Sequence, residues 1–156
     1  MLKNTLLAAA CVAALSIAAP LSTAYAVEGT TELSASEQQA LDAQVLTVEG
    51  LVETYKDDAA GLQAAIEALV TDATSPELAA QAVLIVFDNS QNPKILAILA
   101  NNSALKTAAG NGLGAAIVAL GITNPDLAAK VSAIVAGSGD AEMIAAAQSG
   151  ADTKTA

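Results

Sequence analysis

The chain has 156 residues, 39 of them alanine, a formal net charge of −10, and neither histidine nor arginine. Without histidine it lacks the commonest general base and transition-metal ligand, and without arginine it lacks the bidentate clamp for phosphate or carboxylate. Sixteen acids against six lysines make nucleic acid and anionic membrane surfaces poor partners, since both require cationic side chains to neutralise phosphate.

Residues 1–26 read as a secretory signal peptide. Lys3 supplies the positive start, Leu6 to Ala19 is apolar apart from Ser16, and Ala24-Tyr25-Ala26 fits the small-x-small rule, so cleavage is expected after Ala26. The apolar run is shorter than the ~20 residues that span a bilayer, which favours a signal over an anchor. Cys11 is preceded by Ala8-Ala9-Ala10 and followed by more apolar sequence, so it reads as part of the signal and not as a lipoprotein acylation site. Beyond it there is no cysteine, hence no disulfide and no thiolate for catalysis or zinc. The expected location is the periplasm or the exterior of a bacterial cell, with no stable membrane span after cleavage.

Residues 27–33 read as a flexible leader, and 34–150 as a single helical domain. Ser34-Ala35-Ser36-Glu37 has the form of a capping box. Leu41, Val45, Val48, Val52 and Tyr55 then recur at helical spacing, and the seam continues through Ala59, Leu62, Ile66 and Leu69. Gly50, Asp57, Asp58 and Gly61 interrupt it, which favours two helices, 35–56 and 59–71, with Asp58 as the second N-cap; one long kinked helix is the alternative. Ser75-Pro76, Asn92-Pro93 and Asn124-Pro125 each place a capping side chain before proline at the first helical position. They predict helices over 76–88, 93–101 and 125–136. Val83 to Phe87 is apolar on every side, so that helix is expected to be the most buried. Ser103 to Ala109 reads as one short helix, Gly110-Asn111-Gly112 as a break, 113–121 as a helix, and 141–148 as a last helix capped by Asp140. Residues 151–156 read as a disordered tail.

An internal repeat underlies this series. Gly61-Leu62-Gln63-Ala64-Ala65-Ile66 returns as Gly112-Leu113-Gly114-Ala115-Ala116-Ile117, and Thr74-Ser75-Pro76 returns as Thr123-Asn124-Pro125, with the offset falling from 51 to 49 residues. The repeat units span about 59–102 and 112–149, three helices each. The expectation is an all-α fold of six to eight short helices, either a small bundle or a short α-solenoid.

Chemistry is sparse in what remains. Ser103 and Lys106 have the spacing of a Ser-Lys dyad, but two exposed residues on a short helix explain them far better. Asp88-Asn89-Ser90-Gln91-Asn92 resembles the start of a calcium loop, but Pro93 stands where glycine is needed and Leu99 where a bidentate glutamate is needed. Asp57-Asp58 reads as a solvated corner with an N-cap, ahead of any oxygen-ligand site. Gly110 and Gly114 have G-x-x-x-G spacing, read here as a loop entering a helix. No catalytic residue, metal site or cofactor is expected. The sequence therefore points to an exported, non-enzymatic helical-repeat protein, an interaction or structural component of the bacterial envelope with a protein partner or self-association. The alternative is a small periplasmic carrier holding an apolar or cationic ligand between helices, with Tyr55 and Phe87 as wall residues. An enzyme working with carboxylates alone, as glycosidases do, would also need sugar-binding groups that the chain lacks.

Overall fold

The computed structural model describes residues 33–156, which form seven helices and no strand: α1 (Ala35–Thr54), α2 (Ala59–Asp72), α3 (Pro76–Asn89), α4 (Pro93–Asn101), α5 (Ala104–Thr123), α6 (Pro125–Gly137) and α7 (Ala141–Thr155). The expected signal peptide, its cleavage point and most of the leader lie outside the described residues.

Most helices start where a side chain can accept an orphan backbone N–H. At α1 the Glu37 amide donates to Ser34 Oγ at 3.3 Å and the Ser34 amide donates to Glu37 Oε2 at 2.8 Å, completing the capping box. Asp58 Oδ1 accepts the Gly61 amide at 2.9 Å, Asn92 Oδ1 the Lys94 amide at 3.1 Å, and Asn124 Oδ1 the Leu127 amide at 3.2 Å. Proline occupies the first position of α3, α4 and α6. Ser75 precedes one of these prolines but makes no capping hydrogen bond. The seam from Leu41 to Leu69 is divided into two helices by a turn at Tyr55–Asp58, closed by the Asp58 amide donating to the Tyr55 carbonyl at 2.9 Å.

Two expectations are corrected. Gly110-Asn111-Gly112 is no break: α5 runs through it, joining the helices expected at 103–109 and 113–121. The glycines serve close approach. A Cβ on Gly110 would lie 2.5 Å from Cβ of Ala146, and one on Gly114 would overlap the carbonyl of Ala147, both on α7. One on Gly112 would lie 2.6 Å from the Gln63 carbonyl oxygen on α2. Glycine costs about 1 kcal/mol of helix propensity, and the two faces it opens outweigh that. The second correction is the tail. Residues 151–155 continue α7 to Thr155, with Lys154 Nζ donating to Glu67 Oε1 of α2 at 2.7 Å.

The central element is α5. It packs most extensively on α7, then on α2, with α6 also against it; α1 lies mainly on α3, and α3 also meets α6. Leu62, Ile66, Ile95, Leu105, Leu113 and Met143 are fully buried in one continuous core. The α3 helix buries nine of its fourteen residues, the largest share of any of the seven, as its apolar run predicts. By length and composition α5, with mean hydropathy 1.3, could cross a membrane, but 56% of that stretch is buried inside the fold, as in a core helix.

The fold is thus a small all-α bundle. It does not show the repeat as a packing unit: α5 and α7 form the tightest pair, whereas α2 and α4, their counterparts in the first unit, barely meet. The alignment holds a physical reason. Gln63 stands where the second unit has Gly114, and Ala59 where it has Gly110, so the smooth face that admits α7 is missing from α2.

Candidate functional site

Among the described residues, buried charge is concentrated at a junction of three helix ends. Asp88 sits in the last turn of α3, Lys106 in the first turn of α5, and Asp140 is the N-cap of α7. Lys106 Nζ donates to Asp140 Oδ2 and lies 3.3 Å from Asp88 Oδ1. The Asp88 side chain is only 7% exposed, Asp140 17% and Lys106 26%. Asp140 Oδ1 also accepts the amides of Glu142 and Met143 at 2.9 and 3.0 Å. Asp88 has no such support: both its oxygens are buried and neither accepts a hydrogen bond, its contact with Lys106 being an ion pair of poor hydrogen-bond geometry.

The electrostatics follow from this asymmetry. Burial, then the neighbouring carboxyl of Asp140, push Asp88 up to about 6, with Lys106 opposing. Burial works against ionisation of Asp140 too, but Lys106, the Met143 amide and Asp88 hold its carboxyl well below the usual range. Burial likewise opposes the charge on Lys106, yet the two carboxylates keep its pKa above the ordinary lysine value. Chemically, the junction sets two carboxyl groups against one ammonium, with Asp88 the one of the two that takes up a proton more readily.

The other sequence candidates are not brought together. Ser103 is exposed and caps nothing with its side chain, while Lys106 Nζ is engaged by two carboxylates, so a Ser-Lys dyad is not assembled. The calcium-loop residues serve other ends: Asp88 turns into the junction, Ser90 Oγ accepts the Asn92 amide at 3.2 Å, and Asn92 Nδ2 donates to Glu49 Oε2 of α1 at 3.0 Å. Asp58 caps α2 and Asp57 pairs with Lys56 at 2.9 Å. Among the described residues no group of three His, Cys, Asp or Glu side chains is arranged to hold a metal ion.

Tyr55 and Phe87, the expected ligand walls, line neither of two surface depressions on the described residues. Tyr55 is half-buried, its ring against Gly61, and Phe87 is in the core. One depression, of about 270 Å³, is lined by Lys56, Asp57, Ile98, Asn101 and Asn102 where α4 meets the turn after α1. The other, of about 330 Å³, is an open apolar groove between α1 and α2, lined by Thr47, Leu51, Ala65, Ala68, Leu69, Asp72 and Ala73. It exists because α1 packs on α3 and α2 on α5, so these consecutive helices diverge.

Sequence reasoning missed the junction. Asp140 was legible as a cap and Asp88 as a helix-terminal acid, but not their union through Lys106. A signal was present: an acid in the last turn of α3 and a base in the first turn of α5 both oppose their helix dipoles. Residues placed against local preference point to a tertiary partner. No protein-family model matches the chain, and the comparisons with curated proteins and with solved structures found no match either.

Proposed function

We propose that this is an exported, non-enzymatic helical protein that acts as an interaction or structural component of the bacterial envelope. The observation that carries the reading is the contrast between lysines that are all ion-paired within the fold and an apolar groove left open to solvent. Every lysine of the described residues is ion-paired to a carboxylate: Lys56 to Asp57, Lys94 to Glu53, Lys106 to Asp88 and Asp140, Lys130 to Glu77, and Lys154 to Glu67. The α1–α2 groove, by contrast, presents Leu51, Leu69 and small alanines to solvent, a surface suited to an apolar side chain or helix face of a protein partner. The net charge of −10 favours a partner with basic flanks.

Native mass spectrometry of the protein isolated from its own envelope fraction tests this. The expected result is a homo-oligomer or a protein complex, lost in Ala68→Arg, which places a long cation on an exposed groove residue. A free monomer would overturn the reading, and a monomer carrying a small-molecule adduct would replace it with the carrier.

A further inference from the structure

The Asp88–Lys106–Asp140 junction has an odd charge count. Two carboxylates share one ammonium in a largely buried place where three helix ends meet. With both acids ionised, one negative charge is left without a counter-ion, and the two oxygens of Asp88 have no hydrogen-bond donor. A proton on Asp88 cures the first fault and eases the second, because Lys106 then balances the remaining charge and the acid can donate from one of its two oxygens to Asp140.

We infer that this junction is a proton-operated latch, which holds the start of α7 on the end of α3 when Asp88 carries a proton and loosens that contact when it does not.

The placement of the three groups says which part of the fold responds. Asp140 supports the first turn of α7 through the amides of Glu142 and Met143, and its carbonyl accepts the Ile144 amide at 2.9 Å. It follows the turn at Gly137–Gly139, where Gly139 has φ of 75° and Ser138 Oγ donates to the Val135 carbonyl at 2.8 Å and accepts the Asp140 amide at 3.3 Å. The α7 helix is otherwise seated by its contacts with α5, at Met143 of its own first turn, fully buried against Gly110, and further along at Ala146, Ala147 and Gly150. Loosening the junction therefore frees the α6–α7 turn and the backbone amides that Asp140 holds, while the Met143 side chain and the rest of the α5–α7 seam stay packed. The other charged groups near α3 are engaged elsewhere. Glu49 and Glu53 of α1 hold Asn92 and Lys94, and Lys130 of α6 holds Glu77 at the opposite end of α3. The groups that reach Asp88 are Lys106 and Asp140.

Native-state hydrogen exchange, corrected for the intrinsic pH dependence of amide exchange, tests the latch. Between pH 5 and 7.5 the amides of Met143 and Ile144 should lose about tenfold or more in protection, while those of Ile66 and Val70 in α2 stay unchanged. In Asp88→Asn, whose amide can donate to Asp140 at every pH, Met143 and Ile144 should keep at pH 7.5 the protection they have at pH 5. Unchanged protection in the wild-type chain, or the same loss in Asp88→Asn, overturns the latch. Carboxyl carbon NMR of the unmodified protein gives a second arm: Asp88 should titrate well above Asp140, and titration of both together in the usual acid range also overturns it.

Discussion

Gly114 of α5 lies against the backbone carbonyl of Ala147 of α7, so closely that no side-chain carbon fits between them. With Gly110 against Ala146 and Gly150 against the backbone of Asn111, this makes one backbone-to-backbone seam. Its stability comes from many short contacts between small groups. Gly114→Ala should cost about 2–3 kcal/mol or more, because overpacking a rigid seam exceeds the ~1 kcal/mol gained in helix propensity. Gly50, in the exposed interior of α1 with nothing within 4 Å of an added Cβ, is the control: Gly50→Ala should stabilise by about 0.5–1 kcal/mol. Urea unfolding of the two variants checks both signs.

The pH dependence of stability follows from the junction. Asp88 binds its proton more tightly folded than unfolded, so its contribution is full below about pH 4 and is lost as pH rises through about 6. Asp140 has the opposite shift, so its contribution is present above about pH 4 and is lost as pH falls. Together they place the stability maximum between about pH 4 and 6, with a fall on the order of 2 kcal/mol from Asp88 by pH 7.5. Denaturant unfolding across pH 3–8 should show this dome, and Asp88→Asn should flatten its alkaline side.

Removing the shared cation should separate the two protonation states. Lys106→Met leaves two carboxyls together with no counter-ion. At pH 7.5 this should cost about 3 kcal/mol or more, the range for breaking a buried pair. At pH 5 the cost should be smaller, because a neutral Asp88 can still donate to Asp140. Equal destabilisation at the two pH values, read from unfolding midpoints, would contradict the assignment of the proton to Asp88.

The end of α7 should be nearly dispensable. Its one tertiary ion pair, Lys154 with Glu67, is 46% and 25% exposed, and such pairs contribute about 0–1 kcal/mol. Truncation after Ala151 should therefore change the thermal midpoint by only a few degrees, whereas Leu113→Ala, at a fully buried position of α5, should cost about 3 kcal/mol. Thermal unfolding followed by circular dichroism distinguishes the two.

The sequence by itself determined what is decided within one turn of chain. Ser34 with Glu37, Asp58, Asn92-Pro93, Asn124-Pro125 and Asp140 mark helix starts because a cap acts on an amide two or three residues away, and no distant residue is needed to read it. The apolar run from Val83 to Phe87 likewise announced its burial. The tertiary structure decided everything that depends on a partner. The same Gly-x-Gly that ends a helix in isolation continues one when a second helix fills the space, and only the arrival of α7 and α2 distinguishes these outcomes for Gly110, Gly112 and Gly114. The junction is of the same kind. Asp88, Lys106 and Asp140 are separated by 18 and 34 residues, and each is an ordinary charged residue until packing brings the three helix ends together and excludes the water that would otherwise solvate them.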